Sequence, residues 1–165
     1  MRDFKEKLFP LAVLLLAFLA LGFMIRMLFI ERDNILTAPP DLYIGLDDDP
    51  VFIQESYFEW STFEGYKRKR SARKDTESFP SAKDEIVTSS EDISLDFGKH
   101  APQQITVAYA STLTGEKTSI PVKNNKFELL PGTYYYFLTC EWEKVTPSYE
   151  YFGTAKYNLL LTCTK

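Results

Sequence analysis

The stretch PGTYYYFLTCEWE, residues 131–143, indicates the fold class of the chain. Pro131 and Gly132 form a turn signal, and apolar or aromatic residues follow at every second position. Because side chains alternate between the two faces of a strand, this spacing predicts a strand over residues 133–143 with one face in the core. The residues on that face are Tyr134, Tyr136, Leu138, Cys140 and Trp142.

Similar short runs, rich in aromatic and β-branched residues, recur between residues 42 and 164. Turn-forming residues separate them, among them Asp49, Pro50, Asn124 and Asn125. No interval shows the periodicity of an amphipathic helix. The sequence therefore predicts an all-β domain, a β-sandwich of about seven or eight strands. The predicted strands cover residues 42–46, 51–60, 93–97, 104–110, 118–122, 126–130, 133–143 and 155–164.

Charged and small residues dominate residues 61–92, which predicts a long, partly mobile loop with a short turn near Phe79. This segment contains KRKRSARK, in which six of eight residues are basic. Residues 31–165 carry a net charge of −6, or −12 without these six. The run therefore predicts contact with an anionic polymer or lipid headgroups, the alternative being a solvated loop without a partner. Its members are Lys67, Arg68, Lys69, Arg70, Arg73 and Lys74.

The N-terminal segment is apolar over residues 9–30, with Arg26 as its single charged residue. A helix of 17 to 22 residues spans roughly 26 to 33 Å, which matches the hydrocarbon core of a bilayer. The sequence predicts one transmembrane helix here. The alternative is a cleaved signal peptide, because Ala20 and Gly22 resemble a weak cleavage site.

The flanking charges predict the orientation of this helix. Arg2, Lys5 and Lys7 precede it, which places the N-terminus in the cytoplasm. We therefore expect a single-pass protein of the cell membrane with a signal-anchor. Residues 1–8 would form a cytoplasmic stub, 9–30 the anchor, 31–40 a linker, and 41–165 an extracytoplasmic domain. Nucleic acid is not an expected partner, because the domain is acidic and outside the cytoplasm.

The two cysteines lie in the predicted last two strands. A hairpin whose turn is near Tyr151 and Phe152 would place Cys140 opposite Cys163, which predicts a disulfide in an oxidising compartment. The alternative is two buried thiols. The same hairpin would expose Tyr149, Tyr151 and Phe152 in a loop that could bind a partner protein, or that could fold back over the end of the sandwich.

Catalytic signatures are missing from the sequence. The chain has one histidine, His100, and no motif that combines a nucleophile with a base or cradles a phosphate. The acids at 47–49 lack the alternating ligand pattern of a calcium loop, and we interpret them as a solvated turn. We expect no cofactor, no metal and no enzymatic activity.

Two further patterns lie within residues 39–165. Pro39 and Pro40 precede ESYFEWS at 55–61, and a late pattern comprises Pro131, Gly132, Tyr134, Tyr136, Trp142, Gly153, Tyr157 and the leucines 159–161. Both resemble an uncharacterised family of secreted or membrane-tethered immunoglobulin-like domains from Gram-positive bacteria. Glu55 stands where the family has glycine, and one residue is inserted before Trp60. The resemblance implies an extracytoplasmic immunoglobulin-like sandwich and no known reaction.

These features together predict a membrane-anchored extracytoplasmic module that binds, senses or assists in the bacterial cell envelope. Its expected partners are the lipid bilayer and either another envelope protein or an anionic wall polymer. The alternative is a small subunit of a larger membrane complex, held there by its transmembrane helix.

Overall fold

Two β-sheets make up the fold in a computed structural model of the chain, which describes residues 13–26, 36–46, 49–64, 67–74, 77–145 and 149–164. A single 3-10 turn, Ala82–Asp84, lies among the strands of these residues. The strands are β1 (Leu42–Leu46), β2 (Asp49–Ile53), β3 (Tyr57–Glu64), β4 (Lys67–Lys74), β5 (Glu85–Thr88), β6 (Asp92–Asp96), β7 (Gln104–Ala110), β8 (Thr118–Ile120), β9 (Lys126–Glu128), β10 (Gly132–Val145) and β11 (Tyr149–Cys163).

The smaller sheet has the strand order β2-β1-β6-β9, and the larger has the order β4-β3-β11-β10-β7-β8. Neighbouring strands run antiparallel, except that β5 pairs in parallel with the end of β11. The predicted all-β class with two sheets is confirmed. The core between the sheets includes Leu42, Ile44, Trp60, Ile93, Tyr136, Leu138, Cys140, Tyr157 and Leu161, each less than 2% exposed.

The alternation in residues 131–143 predicts β10 correctly. Tyr136, Leu138, Cys140 and Trp142 are buried, while Tyr134 is half-buried at the edge of the same face. The predicted turn between β8 and β9 is also confirmed. Asn124 and Asn125 have φ angles of 52° and 58°, and the main chains of Lys123 and Lys126 exchange hydrogen bonds of 2.9 Å across them. Asparagine tolerates this left-handed conformation, which two-residue hairpin turns require.

The centre of the larger sheet is a contact between Trp60 and Gly153. The strand register places Gly153 of β11 opposite Trp60 of β3 on one side and opposite Trp142 of β10 on the other. A methyl group added at Gly153 would overlap the indole ring of Trp60. The two indole rings are 5.5 Å apart, and Tyr151 stacks on Trp60 at 5.8 Å.

Both buried indole N–H groups have acceptors in the main chain. Trp60 donates to the carbonyl oxygen of Leu36 at 2.7 Å, and Trp142 donates to that of His100 at 2.8 Å. These bonds satisfy two donors that would otherwise be costly to bury. Trp60 and Trp142 are 0% and 2% exposed, so both belong to the core, as the alternation in residues 131–143 predicts for Trp142.

The predicted disulfide between Cys140 and Cys163 is wrong. Val145 pairs with Glu150 beside the hairpin connection, so the turn precedes the position near residues 151 and 152 that the sequence predicted. In the observed register Cys140 faces Ala155, and Cys163 faces Gly132. Cys163 lies eight positions along the strand from Ala155, a distance of about 27 Å at about 3.4 Å per residue. Both cysteines are buried free thiols.

The predicted loop over residues 61–92 is also wrong. Residues 61–64 continue β3, residues 67–74 form β4, and residues 85–88 form β5. An edge strand needs main-chain bonds from one neighbour only, and charged residues on both of its faces remain compatible with water. KRKRSARK therefore forms a strand without showing the alternation that marks a half-buried one.

At the N-terminal end of the described chain, residues 13–26 form a helix. Within the described ranges no helix is both long enough and apolar enough to cross a membrane. The predicted anchor at 9–30 extends past this helix at both ends, into residues that lie outside those ranges. The chain divides into two compact units, Met1–Ile35 and Leu36–Lys165, so the predicted linker 31–40 straddles their boundary.

We expect Gly153→Ala to destabilise the β-sheet domain by about 1 to 3 kcal/mol, because the added methyl group forces Trp60 out of its position. Guanidinium unfolding of the full chain in detergent, followed by tryptophan fluorescence, measures the loss. Thr154→Ala, on the other face of β11, is the control and should cost less than about 1 kcal/mol. Combining Gly153→Ala with Trp60→Leu should cost less than the sum of the single changes. Additive losses would contradict this contact.

Thiol labelling should find two reactive cysteines per chain after denaturation without reductant, and none in the folded protein at pH 8. Burial raises the pKa of the Cys140 thiol to about 12, so this group stays protonated and unreactive. Cys163 is also buried, at 4% exposure. Absence of labelling in the denatured, unreduced protein would demonstrate a disulfide and contradict the register of β10 and β11.

Candidate functional site

The six basic residues predicted to contact an anionic partner all lie in β4, an edge strand of the larger sheet. We call this strand the basic edge. At about 3.3 Å per residue, its eight residues extend over roughly 26 Å. The sequence identified these residues but placed them in a loop. In a strand, their main-chain positions are held at regular intervals along one side of the domain.

A β-bulge places the arginines of the basic edge on one face of the sheet and the lysines on the other. The β3–β4 register shifts between Trp60 and Ser61, where Ser71 is the extra residue of β4. Directly opposed residues share a face of the sheet, so the pairing assigns each position to a face. Arg68, Arg70 and Arg73 pair with Phe63, Ser61 and Glu59 on the outer face. Lys67, Lys69 and Lys74 pair with Glu64, Thr62 and Phe58 on the face that contains Trp60.

Without this bulge the arginines would not share a face. Residues two positions apart in a regular strand share a face, and residues three apart do not. Arg73 is three positions after Arg70, so strict alternation would place it on the opposite face from Arg68 and Arg70. Because Ser71 is the extra residue of the bulge, Arg73 lies on the same face as these two. The bulge therefore places three guanidinium-bearing positions on one face. Arginine is suited to phosphate because its planar group can donate two parallel hydrogen bonds.

Aromatic residues adjoin the arginine positions on the outer face. Phe63, opposite Arg68, packs edge-on against Phe152 with ring centres 6.1 Å apart. Phe152 is 38% exposed. At the end of the strand, the ammonium group of Lys74 donates to the carbonyl oxygen of Glu55 at 2.8 Å, which ties down that end of the basic edge.

The predicted aromatic partner-binding loop is wrong, because Tyr149, Tyr151 and Phe152 all lie in β11. Tyr151 is 4% exposed and contacts Trp60 in the core. Phe152 lies on the outer face beside Phe63. Tyr149 pairs with Glu64 by its main chain. The prediction placed the hairpin turn at these residues, whereas β11 continues through Gly153, which packs against Trp60.

A second surface feature is a groove of about 440 Å³ along β2, which we call the edge groove. Residues 51–54 and 78–80 are among those that line it. Phe52 and Phe79, which both belong to the lining, are 50% and 48% exposed. The sequence predicts Phe52 in a strand and Phe79 near a short turn. Pro50 is the sequence signal that β2 is an edge strand, since proline within a sheet is confined to edges and bulges.

The shifted pKa values of the titratable groups arise from burial in the core and from a capping interaction. Burial raises the pKa of the Tyr136 and Tyr157 hydroxyls, as it does for Cys140. Hydrogen bonds from the main chain and side chain of Ser81 lower the pKa of Asp84 in the capped 3-10 turn. Across the described ranges, no three His, Cys, Asp or Glu residues come close enough together to hold a metal ion.

Comparison with known proteins assigns no function to these surfaces. The chain matches no protein-family model, no curated protein and no solved structure.

Proposed function

We propose that this chain is a membrane-anchored, extracytoplasmic binding module whose basic edge contacts a phosphate-rich anionic surface of the bacterial cell envelope. One observation carries this proposal: six basic residues occupy a single edge strand on a domain that is otherwise strongly acidic. Such a separation of charge attracts anions to one side of the molecule and repels them from the rest.

The strand conformation strengthens the case for binding. Residues on one face of a strand recur about every 6.6 Å, so a polyanion would meet an ordered row of positive positions. Ordering a loop on binding costs conformational entropy, and a strand held by β3 has already lost that freedom. The three arginine positions on the outer face supply the donor geometry that phosphate groups favour.

The domain type that fits this role is an immunoglobulin-like sandwich. The order β11-β10-β7 in one sheet corresponds to strands G, F and C of that fold, and β6 beside β9 corresponds to B and E. The N–H of Leu130 donates to the hydroxyl of Tyr136 at 3.1 Å, as in the tyrosine corner at the start of strand F. The resemblance to tethered domains of Gram-positive bacteria agrees with this assignment.

The test uses the full chain in nanodiscs of zwitterionic lipid, with soluble poly(glycerol phosphate) as the probe. We expect binding to weaken at least about tenfold between 0.01 and 0.15 M salt, as the screening length falls from about 30 to about 8 Å. The variant Lys67→Ser, Arg68→Ser, Lys69→Ser, Arg70→Ser should lose most of the affinity at low salt. Repeating the comparison in nanodiscs with anionic lipid shows whether headgroups compete with the polymer.

The control removes the same amount of charge elsewhere. Lys83, Lys99, Lys123 and Lys126 are exposed and lie outside the basic edge, so changing all four to serine alters the net charge equally. This control should retain binding within about threefold of the unmodified protein. Equal losses in the two variants would show that only net charge matters. Unchanged binding in the β4 variant would contradict the proposal.

A further inference from the structure

The edge strands of the two sheets differ in how they are protected. Natural proteins block the free edges of sheets with charges, bulges or very short strands. β4 is basic and bulged, while β8 and β9 have three residues each. β2 instead ends in the uncharged sequence Val51-Phe52-Ile53, and Pro50 is its main irregularity. Within the described residues β2 pairs only with β1.

The register of β1 and β2 shows which main-chain groups of β2 face outward. Pro50 lacks an N–H and lies opposite Gly45. Residues of an antiparallel strand alternate between bonding one neighbour and pointing to the other side. Pro50 occupies a position whose main-chain groups point away from β1, so its missing N–H removes no hydrogen bond between β1 and β2. Phe52, two residues later, therefore directs its N–H and C=O to the free edge, while Val51 and Ile53 bond β1.

The edge groove lies along this free edge. Four successive residues, 51–54, line it, so the groove follows the main chain of β2 and includes residues from both of its faces. Ser78, Phe79 and Pro80 also line the groove. A volume of about 440 Å³ suits a single extended chain.

The charge of the groove restricts its occupant. Asp84 is the one charged residue among those that line it, and no lysine or arginine does so. Asp84 accepts hydrogen bonds from the main-chain N–H of Ser81 at 2.8 Å and from its hydroxyl at 2.7 Å. Asp84 is exposed, as is Phe79 at 48%, and both residues line the groove. A ligand with basic and apolar side chains complements this lining, and an acidic one does not.

We propose that the free edge of β2 binds an extended basic peptide segment of a partner protein, which adds to the smaller sheet as a further strand. The main-chain N–H and C=O of Phe52 bond the peptide, and its alternate apolar side chains pack against the rings of Phe52 and Phe79. This is the strand-addition mode of peptide recognition, in which main-chain bonds supply affinity and alternate side chains supply specificity. The site is separate from the basic edge and does not depend on the function proposed for that strand.

The test measures amide hydrogen exchange by NMR on the full chain in detergent micelles. The probes are blocked heptapeptides of the pattern Lys-X-Thr-X-Thr-X-Lys, with X as Val, Ile, Leu or Phe. In the free protein we expect rapid exchange at Phe52 and slow exchange at Val51 and Ile53. A bound peptide should slow exchange at Phe52 at least about tenfold and leave its two neighbours unchanged.

Modified peptides distinguish strand addition from other contacts. Only alternate amides of an added strand bond the protein, so N-methylation of one alternating set should abolish binding and methylation of the other set should not. Replacing both lysines of the peptide with glutamate should weaken binding at least about threefold, and Asp84→Asn should remove that difference. Phe79→Ala should also weaken binding, whereas Leu113→Ala, exposed and outside the groove, should not.

Three results would overturn this proposal. One is equal binding of the two N-methylated peptide sets, which would show contact through side chains alone. Another is the absence of saturable binding by all four peptides up to about 1 mM, an affinity of only about −4 kcal/mol. The third is protection of Phe52 that depends on protein concentration and not on peptide, which would identify a second copy of the chain as the occupant.

Discussion

The packing of the Trp60 indole on the bare main chain of Gly153 is the contact on which the larger sheet depends. It joins three strands at one point, because Gly153 of β11 faces Trp60 on β3 and Trp142 on β10. A side chain at residue 153 would occupy the space of the indole ring, so only glycine permits this approach. The hydrogen bonds from the two indoles to Leu36 and His100 then fix each ring from its polar side.

The position of Trp60 also has consequences for the surface. The bulge in the β3–β4 pair follows Trp60 directly, and it changes which face each β4 residue occupies. Bulges bend and twist a strand, and they are common at sheet edges. Here the bulge gathers Arg68, Arg70 and Arg73 on the outer face. An adjustment of main-chain pairing beside a core residue thus determines how charge is displayed at the edge of the domain.

Hydrophobic alternation predicted several of the strands that have one buried face. The predicted strand over residues 51–60 is wrong, because it is two strands, β2 and β3, that lie in different sheets. The bounds predicted for β1 and β7 are those observed, because each strand has a buried face and clear turn residues beside it. Alternation failed for β4, whose residues are polar on both faces. The sequence also predicts the last hairpin turn near residues 151 and 152, where β11 in fact continues through Gly153. That misplacement produced both the wrong disulfide and the wrong aromatic loop, because each relied on a hairpin turn near residues 151 and 152.

The candidate surfaces were predictable only in part, because composition reveals charge but not pairing. The basic run of β4 was visible in the sequence, while its strand conformation and the sorting of its arginines required the register. The edge groove depends on residues 51–54 and 78–80, which are distant in sequence and meet only after folding. Pro50 was the one local sign that β2 lies at an edge.

The most direct measurement of the central contact is the proton NMR spectrum of Gly153 in the folded full chain. If Trp60 packs on Gly153, one α-proton of this glycine lies against the indole ring, where the ring current shifts its resonance well upfield of its position in the unfolded chain. It should also show strong nuclear Overhauser effects to the indole protons of Trp60. An α-proton at the ordinary position for a strand glycine, without contacts to that ring, would contradict the register of β3, β11 and β10.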